Sequence, residues 1–198
     1  MWHKFVNLPM AFTDNIGDND PRIHDAFAQL PLEQLGGSGG FLSNIDNAYL
    51  SAAINRRYGD VLVTRFRAPT FTDTRGGTPT MPTAQLRYWS ICMNETFSQR
   101  FVQCANDDRA TVGPDGYVTF VVTAADQKPS AAVLGACSAT WLPWGPQSHG
   151  TLIYRNMLPT GFPQAIQFAR HDHEAQDMGD YMPVSHYTSN ATFEQTCG

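Results

Sequence analysis

From about residue 60 onward, apolar residues fall in short β-branched and aromatic runs rather than at helical spacing. Asp60-Val-Leu-Val-Thr-Arg-Phe66, bounded by Gly59 and Pro69, reads as a strand with at least one buried face. In Gln85 to Met93, Leu86, Tyr88, Ser90 and Cys92 alternate with Arg87, Trp89, Ile91 and Met93. Both sets are partly apolar, which predicts a central strand. Arg100 to Cys104 predicts a short neighbour, and the Gly113-Pro-Asp-Gly116 turn launches the strand Tyr117-Val-Thr-Phe-Val-Val-Thr123. Thr151-Leu-Ile-Tyr-Arg155 predicts another, after a proline-broken aromatic segment from Ala139 to Gly145.

Helical signals are fewer. Asp46 stands where an N-cap belongs, Ala48, Leu50, Ala52, Ala53 and Ile54 follow, and Arg56-Arg57 with Gly59 resemble a C-terminus, so a helix is expected from Asn47 to Tyr58. Pro163 is expected to open a brief helix through Ala169, and the stretch from Met178 to Cys197 to be tyrosine-rich coil. Residues 1–45 are rich in Asn, Asp, Pro and Gly, with a helix-like piece from Ile23 to Leu35 and a glycine run at 36–40; they read as a loosely wrapped N-terminal arm. Arg67 to Pro82, broken by Pro69, Gly76, Gly77 and Pro79, is a long loop of the kind that carries a role. The sum is a mainly β chain: an antiparallel β-sandwich or jelly-roll-like core over 46–198, with one or two peripheral helices and long loops.

Composition narrows the class. The 198 residues are 42% hydrophobic and 16% charged, against about 25% charged in an average domain, which excludes a disordered chain or a coiled coil. The net charge is −5 and the 13 basic residues are scattered apart from Arg56-Arg57, so no stripe exists to neutralise nucleic-acid phosphates. No apolar run approaches the roughly 18 residues a membrane-spanning helix needs. Cys92, Cys104, Cys137 and Cys197 form no C-x-x-C pair and no zinc-finger spacing. Wide spacing, few lysines and two sequons, at Asn94 and Asn190, suit a secreted or periplasmic protein. Three disulfide pairings are open; the preferred one joins Cys92 to Cys104 across neighbouring strands and leaves Cys137 for Cys197.

Arg87-Tyr-Trp-Ser-Ile-Cys92, Pro114-Asp-Gly-Tyr-Val-Thr119, Thr140-Trp-Leu-Pro-Trp-Gly145, Leu152-Ile-Tyr-Arg-Asn-Met-Leu-Pro159 and Met178-Gly-Asp-Tyr181 follow one another in the chain. In this order they resemble a group of uncharacterised secreted bacterial proteins related to a β-sandwich domain of unknown function. That domain has a similar Trp-Ser strand, an Asp-Gly turn before a strand and a Trp-Leu-Pro segment. The resemblance spans about residues 41–198. It implies export and a β fold, and it carries no catalytic residues across. Members of the group are longer at the N-terminus, which implies that this chain is a truncated or processed form.

Two candidate sites follow from the residues. Trp141 and Trp144 flank Pro143 in a loop-like stretch where exposure is expected, and Phe71 lies in the Thr/Pro loop. Exposed rings on a sandwich rim can hold a small molecule, a glycan or a protein surface. The second is Arg170-His171-Asp172-His173-Glu174 with Asp177 and His186. His171 and His173 with a nearby carboxylate, Asp177, offer a two-histidine, one-carboxylate set for a divalent transition metal, resembling the first H-x-H motif of cupins, with His186 as the alternative third ligand. The pair lacks the glycine six residues before it that cupins have, and it follows a predicted helix. The leading expectation is an exported, non-catalytic binding module without a cofactor; the alternative is a metal-dependent jelly-roll enzyme. A covering partner chain or a homo-oligomer is a third possibility.

Overall fold

The computed structural model of the chain describes residues 2–6, 10–11, 45–80, 84–96, 98 and 100–197. Among them nine strands alternate with short helices: β1 (Trp2–Lys4), β2 (Asn47–Asn55), β3 (Val61–Arg67), β4 (Leu86–Asn94), β5 (Phe101–Asn106), β6 (Tyr117–Thr123), β7 (Ala139–Pro143), β8 (His149–Pro159) and β9 (Val184–Thr188). The helices are α1 (Ala131–Ala136), α2 (Glu174–Met178) and α3 (Asn190–Cys197). Five strands form one sheet in the order β1-β2-β8-β4-β5, and four form the other in the order β7-β6-β3-β9. The chain is therefore a β-sandwich with small peripheral helices. All pairs are antiparallel except β6 with β7. That one parallel pair follows from its connection, since a crossover carrying α1 joins the two strands, whereas a tight hairpin would reverse the chain.

The core forms where inward residues of both sheets meet. Trp89 and Tyr154 of the first sheet and Phe66 and Phe120 of the second are fully buried, with Phe66 and Tyr154 ring centres 4.6 Å apart. Trp89 gives its indole N–H to the Pro69 carbonyl at 3.0 Å, so the largest ring also anchors the start of the Thr/Pro loop. Burial pushes the Tyr154 hydroxyl up, well above an ordinary tyrosine.

Three expectations of local structure are corrected. Residues 47–55 are a strand and not a helix: Leu50, Ala52 and Ile54 face the core while Tyr49, Ser51 and Ala53 face the other way. Alanines at both spacings made the period ambiguous, and pairing with β8 decides it. The expected C-terminal signals serve one 3-10 turn instead, Arg56–Tyr58, in which the Asn55 side chain accepts from the Arg57 N–H. Residues 163–169 form consecutive turns, and the Ile166 N–H donates to Asn156 Oδ1 at 3.1 Å. Residues 184–197, expected as coil, contain β9 and α3, the latter fixed by the Cys137–Cys197 disulfide. The second disulfide, Cys92–Cys104, joins directly opposed residues of β4 and β5, so both preferred pairings are present. Of residues 1–45, Trp2–Lys4 form the edge strand β1, with Trp2 buried opposite Ala52; the expected helix at 23–35 and the glycine run at 36–40 lie outside the described residues. No helix among the described residues is long and apolar enough to cross a membrane.

Candidate functional site

The Thr/Pro loop is compact where it leaves and rejoins the sandwich. The Thr70 N–H donates to Gln85 Oε1 at 2.9 Å, the Gln85 N–H donates to Thr70 Oγ1 at 3.0 Å, and Phe71 bridges to Leu86. Beyond that clasp the chain turns tightly. The Gly76 N–H donates to Asp73 Oδ1 at 2.7 Å, and a Cβ at Gly76 would lie 2.2 Å from Asp73 Oδ2, so a larger residue there would displace the Asp73 carboxylate from this turn. The turn leans against the segment after β5, where Arg75 pairs with Asp108 at 3.3 Å.

A crevice of about 190 Å³ lies between these parts, lined by Phe71 to Arg75, by Arg87 and Tyr88 of β4, and by Asn106 to Asp108. Its polar groups are held from behind. Arg87 donates to the Thr72 carbonyl at 3.4 Å and to Thr74 Oγ1 at 3.1 Å. The buried Asp107 accepts the Trp89 N–H at 3.0 Å on one oxygen and the Asp108 N–H at 2.9 Å on the other. Burial raises the Asp107 carboxyl above the usual carboxylate range, and these N–H donors oppose the rise. Phe71, an expected ligand contact, thus belongs to a shaped recess whose walls are mostly arginine, amide and carboxylate.

The tryptophans behave otherwise. Trp144, expected on the surface, is 1% exposed, packed near Tyr187 with the Arg56 guanidinium 5.7 Å from its ring centre. Its N–H donates from the main chain to the Thr123 carbonyl at 2.7 Å, extending the β6–β7 pairing by one residue and turning the ring inward. Trp141 is half-buried; its indole donates to Thr123 Oγ1 at 2.9 Å and the Lys128 ammonium sits 4.5 Å from the ring centre.

The expected metal set is not brought together. His173 occupies the position before α2, and Asp177 takes the Arg170 guanidinium at 2.6 and 3.0 Å, which holds its carboxyl well below the usual range. His186 is exposed on β9, opposite Val63. His171 and Asp172 instead meet His3 of β1: one potential ligand atom from each lies within 4.8 Å of the other two. His3 escaped the sequence reading because it lies 168 positions from His171 on a strand too short to show a period.

A second hollow, of about 320 Å³, opens between β2 and β9 and is lined chiefly by Trp2, Ala52, Ile54, Leu62, Met182 and Tyr187. Trp2 closes one side by donating its indole N–H to Ser185 Oγ at 2.8 Å.

No family model matches the sequence, and no curated protein matches it. Among solved structures, the chain is similar to an uncharacterised protein from Burkholderia cenocepacia, with 17% identity and a TM-score of 0.50 over 79% of this chain and 32% of that one. It is also similar to the VPA0106 protein from Vibrio parahaemolyticus, at 17% identity and a TM-score of 0.45 over 77% of this chain and 33% of that one. The chain spans about a third of the length of these structures. What the first likeness establishes is the β-sandwich fold.

Proposed function

We propose that the chain is an exported, non-catalytic β-sandwich module that holds a polyhydroxylated ligand, a glycan unit, in the crevice beside Phe71. The observation that carries this reading is the chemistry of one recess: the aromatic side chains Phe71 and Tyr88 stand with Arg75, Arg87, Asn106 and Asp108 around about 190 Å³. Sugar hydroxyls donate and accept together, which suits guanidinium, amide and carboxylate groups held at fixed positions, while a sugar's C–H face packs on an aromatic ring. The volume lies below the roughly 300–1,000 Å³ of drug-sized sites, which favours one ring over an extended chain. Two disulfides support export, because such bonds persist in oxidising compartments.

The test is a glycan array followed by titration calorimetry on the best ligand. Phe71→Ala is expected to weaken binding about tenfold or more, the size of a lost aromatic contact of about 1.4 kcal/mol. Trp141→Ala is expected to leave it unchanged. An affinity indifferent to Phe71→Ala would sink the assignment. A second reading, an apolar ligand between β2 and β9, is favoured by the larger hollow and its hydrocarbon lining.

A further inference from the structure

His3 and His171 come from chain segments far apart in sequence and close in space. Their ring centres lie 6.3 Å apart with the planes inclined by 30°. Asp172 reaches both: one carboxylate oxygen is 3.1 Å from His171 Nδ1 and the other 4.0 Å from His3 Nδ1. A tetrahedral ion bound at about 2.0–2.1 Å sets its donor atoms about 3.3 Å apart, so donor atoms that lie within 4.8 Å of one another close by about 1.5 Å or less to share one ion. Both imidazole side chains are 12% exposed and the Asp172 side chain is 63% exposed. The cluster therefore has a sheltered side made of nitrogen donors and an open side towards water.

The surroundings fix both halves of the cluster. The main-chain N–H of Lys4, next to His3, donates to the buried Glu174 carboxylate at 2.7 Å, and the Lys4 ammonium donates to the carbonyls of Gln167 and Ala169 at 3.1 and 2.6 Å. On the other half, the Arg170 N–H and guanidinium both bind Asp177, and the His173 N–H closes a turn on the Arg170 carbonyl at 3.1 Å. Between these anchors Asp172 is held at a φ of 64°, a left-handed conformation that a non-glycine residue adopts at a cost. That conformation directs the carboxylate to the two rings.

We propose that His3, His171 and Asp172 bind one divalent first-row transition ion, with zinc the best match, and that the ion ties the N-terminal strand β1 to the turn before α2. Two imidazole nitrogens and one carboxylate are a donor set that zinc and its neighbours favour over calcium or magnesium, which take oxygen. Three protein donors leave a fourth position for water on the exposed side. The site is separate from the Phe71 crevice, and neither reading depends on the other.

The test uses the full chain without a polyhistidine tag, stripped with chelator and titrated calorimetrically with zinc chloride alone. One equivalent is expected to bind, and His3→Ala and His171→Ala are each expected to weaken binding about tenfold to a hundredfold. His173→Ala and His186→Ala, which change histidines outside the trio, are expected to leave it unaltered. Asp172→Gly separates ligation from folding: glycine accepts the positive φ, so the thermal midpoint of the metal-free protein holds or rises while zinc affinity falls. Cobalt substitution provides a second readout, since an intense visible band marks tetrahedral nitrogen and oxygen ligation and is expected to vanish in Asp172→Gly. Absence of binding at ~1 mM zinc, or an affinity unchanged in the His3→Ala, His171→Ala double variant, overturns the proposal.

Discussion

Two hollows of the sandwich lie on opposite flanks of the five-stranded sheet, and they are built from different materials. The crevice beside Phe71 adjoins β4 and β5, and its walls are a folded loop and a turn whose polar groups are pinned by main-chain hydrogen bonds. The hollow by Trp2 adjoins β1, β2 and β9, and its walls are mostly apolar side chains of those strands and of Leu62, joined by Ala175, Met182 and Pro183 from the segment before β9. In the crevice a ligand meets hydrogen-bonding groups already oriented, so selectivity comes from direction. In the hollow it meets hydrocarbon, so affinity follows buried area, about 25 cal/mol per Å². In this chain the directional recess stands where a loop leaves the sheets, and the apolar one where the two sheets part at an edge.

Deleting the ring that closes the hollow gives the largest expected effect. Trp2 is 4% exposed, packs in the main core cluster and links the two sheets through Ser185. Trp2→Ala removes a buried aromatic and is expected to cost about 3 kcal/mol in chemical denaturation. Phe71→Ala, on the rim of the crevice, is expected to cost less than half as much. Equal losses would erase the contrast between a hollow made of core and a crevice made of loop. A Trp2→Ala loss below about 0.5 kcal/mol would mean that β1 contributes little to the sandwich.

The same contrast explains what the sequence disclosed. The strands at 61–67, 86–94 and 117–123 were legible from β-branched and aromatic runs, alternation or a bounding turn, and those at 101–106 and 149–159 in their central parts. Both disulfides were legible because β4 and β5 could be set side by side. The strand at 47–55 was hidden by Ala48, Ala52 and Ala53, which satisfy helical and strand spacing alike. Phe71 was singled out because it lies in the long loop, and it does line the crevice; Arg87 was not, because the alternation of β4 groups it with Trp89, Ile91 and Met93 and gives no sign that it lines a recess. Trp144 misled because Pro143 suggested a loop, whereas proline there ends β7 at the sheet edge and the next ring folds into the core. His3 needed a pairing over 40 residues or more, Trp2–Lys4 with Leu50–Ala52, that no local pattern encodes.

The intermediate effect is electrostatic and specific to the crevice. With its folded-state pKa raised, Asp107 retains its proton longer in the folded protein than in the unfolded chain, where it leaves near pH 3.9. Its contribution is therefore most favourable below about pH 4 and declines as pH rises through the folded value. Glu95, lowered by Ser98 and Arg100, and Asp177, lowered by Arg170, run the other way and lose stability as pH falls. The Asp107 effect is isolated by subtraction. Asp107→Asn keeps the shape but sets an amide against the N–H donors of Trp89 and Asp108, an expected loss of about 1–3 kcal/mol at low pH. The difference between wild type and variant is expected to shrink as pH is raised from 3 to 7, about the range in which the buried charge forms. A difference independent of pH would show that Asp107 ionises as freely as an exposed carboxylate.

The smallest effect concerns how the crevice is held shut. Arg75 meets Asp108 at 3.3 Å across the mouth, with the arginine side chain 81% exposed, so water screens the pair. Exposed pairs contribute about 0–1 kcal/mol, and Arg75→Ala is expected to change stability by no more than about 0.5 kcal/mol. Its effect on exchange is expected to exceed its effect on stability, because the pair joins two turns, 73–78 and the one after β5, neither of which belongs to a sheet. Amide exchange at Gly76 and Thr78 is expected to accelerate in Arg75→Ala and in wild type at high salt, with no change at Ala52 or Ile54 beside the hollow. Acceleration at both places would mean that the two hollows open together, and the distinction between a loop-built and a core-built site would fail at the level of dynamics.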